Sequence, residues 1–139
     1  MAEYIANEVQ TVAVGSNVLF TDTVVDGADI IRHRPGSGII KVFPICKRCY
    51  TRYKVTFSGN LAVPTGQTPG AISVAIGIDG EPYAPTTATV TPGATLGYFN
   101  VSTSAYVYVR HGCCSTISVT NVSNIPINVA NANIIVTRE

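Results

Sequence analysis

Hydrophobic and polar residues alternate along most of this chain with a period of two, which is the pattern of a β-strand that buries one face. The clearest case is residues 50–61, in which Tyr53, Val55 and Phe57 fall on one side and charged or hydroxyl side chains on the other. Similar short runs, rich in valine, isoleucine, threonine and tyrosine, recur over residues 9–138. No stretch has the period of a long amphipathic helix, so the chain is predicted to be all-β.

Turn-forming residues divide these runs into ten or so short strands. Residues 8–14 are predicted as the first strand, residues 30–33 and 39–43 as a hairpin around a Pro-Gly-Ser-Gly turn, and Asp79-Gly80 as another hairpin turn. Near-regular spacing of short strands predicts a sandwich or barrel, in a single domain spanning residues 1–139. The other strands are predicted at residues 18–20, 23–25, 71–78, 81–91, 98–102, 105–109, 116–122, 125–129 and 133–138.

Two polar patterns within these strands leave alternatives open. Residues 71–78 have isoleucine and valine on one face and only alanine, serine and glycine on the other. This row of small side chains fits either sheet packing within one subunit or a contact between subunits. Asn128, Asn131 and Asn133 alternate with apolar residues, and this spacing fits a hydrogen-bonded ladder, a capped bulge or a symmetric interface.

The composition indicates that part of the surface is covered by other subunits. Charged residues make up only 12% of the chain and hydrophobic residues 46%, and that share of charge is about half the usual one. The net charge of +1 does not predict a nucleic acid or membrane partner, and no run of about 18 apolar residues predicts a transmembrane helix. The first residues lack the pattern of a signal peptide, so synthesis in the cytoplasm is expected.

The cysteines form the only familiar motif, Cys46-Lys47-Arg48-Cys49, and an adjacent pair, Cys113 and Cys114. A thioredoxin-like motif needs a helix after its first cysteine, whereas a strand is predicted here. Two neighbouring cysteines cannot easily send both thiolates to one tetrahedral zinc ion, so no metal site is predicted. Free thiols are expected, with a disulfide in an oxidising medium as the alternative.

No catalytic set is indicated. His33 and His111 have no acid or nucleophile at a suggestive spacing, and the Gly-x-Ser-x-Gly elbow of serine hydrolases is absent. The chain is therefore predicted to be a non-enzyme without a cofactor. Two Asn-x-Ser sequences, at Asn100 and Asn121, match glycosylation acceptors and are attributed to chance in a chain without a signal peptide.

Charges are segregated along the sequence. Residues 1–29 hold five acids and no base, whereas residues 30–78 hold seven bases and no acid. The basic segment fits a solvated surface or a partner contact, including contact with the acidic N-terminal segment of a neighbouring subunit. No aromatic residues alternate with the bases of residues 50–61 to stack nucleic acid bases. The residues predicted to make a partner or subunit contact are Arg32, Arg34, Lys47, Arg48, Arg52 and Lys54.

Several stretches together resemble small jelly-roll proteins of phages and prophages of gut Firmicutes. The resemblance spans nearly the whole chain. It is carried by residues 16–21 (SNVLFT), 33–40 (HRPGSGII), 59–66 (GNLAVPTG), 79–82 (DGEP), 98–102 (YFNVS), 112–114 (GCC) and 131–136 (NANIIV). More distantly, the chain is similar to the trimeric tumour-necrosis-factor-like heads of bacterial collagen-like surface proteins, although the Gly-X-Y stalk of those proteins is absent.

The resemblance implies an antiparallel jelly-roll sandwich of about 8–10 strands that assembles as a homotrimer, and it supplies no catalytic residue. It also implies a structural protein on the virion exterior, either a capsid decoration or a head-fibre or fibre-cap protein. Such a protein would bind the major capsid protein or another virion protein. The alternative is a carbohydrate- or receptor-binding head that binds a host-surface glycan through exposed tyrosines, Tyr83, Tyr98, Tyr106 and Tyr108.

Overall fold

A computed structural model describes residues 1–45, 50–112 and 114–139. In these ranges no helix is long and apolar enough to cross a membrane, and the single helical turn is a 3-10 turn at Ala84–Thr86. The strands are Ala2–Ala6 (β1), Gln10–Val12 (β2), Asp22–Val25 (β3), Ile31–His33 (β4), Ile40–Val42 (β5), Tyr50–Ala62 (β6), Ile72–Ile78 (β7), Glu81–Pro82 (β8), Ala88–Val90 (β9), Phe99–Arg110 (β10), Ser115–Asn121 (β11) and Ile127–Arg138 (β12).

The strands form two six-stranded sheets that pack against each other. Sheet A has the order β10-β6-β12-β1-β3, with β2 also paired to β12, and sheet B has the order β4-β5-β11-β7-β8, with β9 paired to β7. Every strand pairing is antiparallel. One cluster of buried apolar side chains draws on both sheets, so the molecule is an antiparallel β-sandwich, one of the two architectures that the strand spacing predicts and the one that the resemblance implies.

The core follows the alternation in β6. Tyr53, Val55 and Phe57 are all fully buried, and the Phe57 ring meets Phe20 edge to face with ring centroids 6.5 Å apart. The Tyr53 hydroxyl donates a hydrogen bond to the Phe43 carbonyl. Burial raises the pKa of Tyr53 above the usual 10.0, even though the Arg138 charge and this hydrogen bond act to lower it.

The predicted hairpins are confirmed at two places. β4 pairs with β5, which places Arg32 opposite Lys41. Asp79 and Gly80 both have positive φ, 54° and 88°, as a two-residue hairpin turn between β7 and β8 requires. The Asp79 carboxylate accepts a hydrogen bond from the Thr116 backbone amide, 3.0 Å away, so this turn is also tied to β11.

Other predicted boundaries are wrong. The first strand is β1, whereas residues 8–14 hold only the short β2. Residues 18–20 are not a strand, because the Gln10 side chain bonds both the amide and the carbonyl of Leu19 where a neighbouring strand would otherwise pair. Residues 81–91 divide into β8, the 3-10 turn and β9. The predicted strands at residues 98–102 and 105–109 merge into β10, and those at residues 125–129 and 133–138 merge into β12.

A buried asparagine connects the two sheets at the end of β11. Asn121 is 1% exposed, and its side-chain amide donates to the carbonyls of Val12 and Ile125, both 3.0 Å away. Its side-chain oxygen accepts from the Ser123 amide at 2.8 Å. Because Val12 belongs to sheet A and Asn121 to sheet B, this side chain links the turn between β11 and β12 to the opposite sheet. The Asn-x-Ser match at Asn121 therefore has a structural role.

Candidate interaction surface

The outer face of sheet A brings basic and aromatic side chains together at the β6–β10 end. The register places Tyr106 beside Lys54 and Tyr108 beside Arg52, and side chains of directly paired residues lie on the same face. Tyr50, at the start of β6, packs against Tyr108. These five residues, Tyr50, Arg52, Lys54, Tyr106 and Tyr108, are called the aromatic–basic edge below.

The aromatic–basic edge is exposed and internally ordered. Tyr50, Tyr106 and Tyr108 are 55%, 50% and 60% exposed. The Arg52 guanidinium lies over the Tyr106 ring, 5.3 Å from its centroid, and the Tyr50 and Tyr108 rings meet edge to face at 6.4 Å. Cation–π contacts of this kind contribute about 0.5–1 kcal/mol at exposed sites, so Arg52 is held in place and still faces solvent.

A small cavity of about 190 Å³ opens beside this edge. Its volume is below the range of about 300–1,000 Å³ that is typical of small-molecule sites, and it is closer to the size of a partner's side chain. Arg138 adds a positive charge and Glu139 a negative charge to its wall. The lining residues are Ile45, Tyr50, Thr51, Arg52, Tyr108, Arg138 and Glu139.

The opposite side of the same face is acidic. Glu3 lies on β1 beside Ile135 of β12, and Asp22 lies on the edge strand β3 beside Ile5. Asn133 donates a hydrogen bond to the Glu3 carboxylate. Val24, on the same edge strand, is 53% exposed. Glu3, Asp22 and Val24 are called the acidic edge below.

Asparagines occupy the far end of this face, where they form a short ladder across three strands. Asn100 donates to Asn60 at 3.1 Å, and Asn60 donates to Asn131 at 3.4 Å. Asn131 has a φ of 53° at the point where the β6–β12 register shifts. It thus occupies a bulge and also belongs to the ladder, while Asn133 bonds Glu3 instead.

The structure divides the basic residues that the sequence groups together. Arg52 and Lys54 share the outer face of sheet A, whereas Arg32 belongs to β4 of sheet B, with its guanidinium 4.8 Å from the centroid of the Phe43 ring. Arg34 is exposed in the turn after β4. Lys47 and Arg48 lie outside the described residues.

The predicted thiols and histidines show no shared site within the described residues. Cys114 is an exposed free thiol, and Cys46, Cys49 and Cys113 lie outside the described ranges. His33 packs against the Tyr4 ring at 4.5 Å, and its Nε2 bonds the Ser37 carbonyl. In the described ranges, no three His, Cys, Asp or Glu side chains are grouped so as to hold a metal ion.

The arrangement of the two sheets is found in solved structures. No family model and no curated protein matches the chain. The globular domain of zebrafish complement 1qA protein matches with a TM-score of 0.56 and 12% identity, over 96% of this chain and 94% of that one. This chain folds as a jelly roll. A family 35 carbohydrate binding module from Clostridium thermocellum also matches, over 95% of this chain and 90% of that one, with 15% identity and a TM-score of 0.36.

The jelly roll exposes all four tyrosines that the glycan-binding alternative requires. Tyr83 and Tyr98 are 46% and 39% exposed, but Tyr83 precedes the 3-10 turn beside sheet B. Tyr106 and Tyr108 instead lie on sheet A, next to the bases of β6. On the basic face of β6 itself, Tyr50 is the only aromatic residue. Tyr106 and Tyr108 come from β10, and no local sequence signal identifies that pairing.

The row of small residues on β7 lies on the outer side of sheet B. Ala75 is fully buried even so, and Gly77 packs so closely against β11 that an added Cβ would lie 2.5 Å from Ser118 Oγ. Ser73 bonds Thr89 of β9 through their hydroxyls. The small side chains are thus occupied by contacts within the jelly roll, which favours the packing interpretation of this row.

Proposed function

We propose that this protein is a non-enzymatic structural protein of a phage particle, and that it acts as an oligomer, most simply a homotrimer. Its place would be the virion exterior, as a capsid decoration or a head-fibre or fibre-cap protein, after synthesis in the bacterial cytoplasm. Its partners would be other copies of itself and the major capsid protein or another virion protein. The observation that supports assembly is the outer face of sheet A, where exposed tyrosines lie beside two basic side chains.

Tyrosine and arginine are enriched where protein surfaces bind each other. Three tyrosines that are at least half exposed lie around Arg52 in a chain with only 12% charged residues. The face is also large enough for a contact. With strands about 4.8 Å apart, five strands span about 19 Å, and the 13 residues of β6 extend about 44 Å. The resulting upper bound of about 800 Å² equals the share that one partner contributes to a standard interface.

The phage assignment is supported by the resemblance of the segments quoted above to phage and prophage jelly-roll proteins. The test of assembly is light scattering with size exclusion at micromolar concentration. We expect a trimer, and a clean monomer would contradict the proposal. Imaging of particles that carry the protein tests the location, with density on the virion exterior expected. Its absence from purified virions would refute the phage role.

A second candidate, a carbohydrate- or receptor-binding head, is favoured by one observation: exposed aromatic rings stand beside a cation on an open face. Rings of this kind can stack on sugar faces. A glycan array tests this candidate directly. Binding that is lost in Tyr106→Ala and Tyr108→Ala, but kept in Tyr83→Ala beside the other sheet, would favour it. An array without signal for the folded protein would count against it.

A further inference from the structure

We propose that copies of this chain associate head to tail, with the aromatic–basic edge of one copy against the acidic edge of the next. This inference rests on the self-assembly proposed above and specifies which surfaces meet. The partner is a second copy of this chain, since each copy carries both halves of the contact on one face of one sheet.

The two edges are too far apart to neutralise each other within one copy. Lys54 is on β6, Glu3 is on β1 and Asp22 is on β3, so two strand spacings separate Lys54 from Glu3 and three separate it from Asp22. These separations are about 10 Å and about 14 Å at a spacing of about 4.8 Å. The Debye length at physiological ionic strength is about 8 Å. The charges of each edge therefore act mainly on whatever docks there.

The chemistry of the edges is complementary beyond charge. A carboxylate such as that of Asp22 fits the planar donor fork of an arginine, and Arg52 is already oriented by the Tyr106 ring. The exposed aliphatic side chain of Val24 offers an apolar surface to the tyrosine rings. Burial of these groups together would remove from water the aromatic surface that a monomer leaves exposed.

A contact between like edges is disfavoured, because it would bring Arg52 and Lys54 of two copies together. In a head-to-tail contact each copy uses its two edges on two different neighbours, so the contact is heterologous, and a heterologous contact closes only when the rotation between copies completes a ring. In a closed ring every copy uses both of its edges once. A ring of three, the assembly implied by the resemblance, leaves no edge unpaired.

Charge reversal tests the inference. The basic edge is reversed in Arg52→Glu/Lys54→Glu, and the acidic edge in Glu3→Lys/Asp22→Lys. We expect each double variant to raise the dissociation midpoint concentration at least tenfold, as measured by mass photometry or sedimentation. The variant with all four reversals should return to within about threefold of the unchanged protein, because its edges are complementary again. Circular dichroism verifies that each variant is folded.

The control on sheet B is Lys41→Glu, which is compared with Lys54→Glu on the basic edge. Lys41 lies exposed on β5 and is not among the predicted contact residues, and both substitutions replace a positive charge by a negative one. Lys41→Glu should leave the midpoint unchanged, whereas Lys54→Glu should raise it. A mixture of the two edge variants should not restore a three-membered ring, because unlike edges can alternate only around a ring with an even number of copies.

The failures of the two proposals are distinguishable. If the unchanged protein assembles but the edge variants behave like the sheet B control, the head-to-tail contact is wrong and self-assembly stands. The same conclusion follows if the fourfold variant is folded but remains dissociated. If the unchanged protein is a monomer at micromolar concentration, both proposals fail.

Discussion

Replacing Asn121 with alanine should destabilise the sandwich more than its single small side chain suggests. The side chain makes three hydrogen bonds, to the Val12 and Ile125 carbonyls and from the Ser123 amide. A neutral hydrogen bond contributes about 0.5–1.5 kcal/mol net. Loss of the three bonds should therefore lower the free energy of unfolding by about 3 kcal/mol, because Asn121 is buried and water cannot easily take the place of its side chain. By the usual scaling, the Tm should fall by about 10 °C.

Urea unfolding followed by far-UV circular dichroism measures this loss, and tyrosine fluorescence provides a second probe because the chain has no tryptophan. The matched control is Asn124→Ala, since Asn124 is exposed in the same turn and its loss should cost less than about 0.5 kcal/mol. If Asn121→Ala lowers the free energy of unfolding no more than Asn124→Ala does, the Asn121 side chain does not stabilise the contact between the sheets.

Two further changes test the close packing of sheet B and the buried phenols. Gly77→Ala should lower the free energy of unfolding by about 1–3 kcal/mol, since its Cβ would lie 2.5 Å from Ser118 Oγ. The further substitution Ser118→Ala should recover part of this loss. If denaturant unfolding shows that the losses of the two substitutions simply add, the expectation is contradicted. Burial raises the pKa of Tyr53 and, together with the Asp26 charge, that of Tyr4 above 10.0, so the folded state retains phenolic protons that the unfolded chain releases. Their contribution to stability is complete below about pH 10 and is lost as the pH rises through the folded-state values. Tyr53→Phe should reduce this alkaline decline in unfolding measurements against pH, and an unchanged slope would contradict the expectation.

The sequence predicts strands well where inward residues are large. β6 is predicted to within one residue, because Tyr53, Val55 and Phe57 contrast with the polar residues between them. β1 is missed because two of its three inward residues, Ala2 and Ala6, are alanines and an isoleucine, Ile5, faces outward. The alternation there carries almost no hydrophobic contrast.

The β10 strand is predicted in two pieces for a related reason. Its middle residues, Thr103 and Ser104, look like a turn in sequence, but Thr103 continues the inward row and donates to the Thr86 carbonyl at 2.8 Å. The bond that compensates for its polarity comes from a distant segment. Residue type alone therefore gives no sign that the strand continues.

The candidate surface is predictable only in part. Alternation along β6 correctly places Arg52 and Lys54 on one face. The neighbouring positions of Tyr106 and Tyr108 depend on a register between β6 and β10, which pairs residues about fifty positions apart in the chain. Long-range pairing of this kind is set by the packing of the complete sandwich, and no local pattern in β6 or β10 contains it.

The central position of β12 has a consequence for folding during synthesis. Of the strands in sheet A, β12 is synthesised last, and it lies between β6 and β1 in the middle of that sheet, where Val136 pairs with both Ala2 and Val55. Until it emerges, the β10–β6 and β1–β3 pairs have no strand to join them, and their inner edges remain open. We therefore expect sheet A to fold slowly and only once β12 is available, with the nascent chain exposed to edge-to-edge aggregation until then.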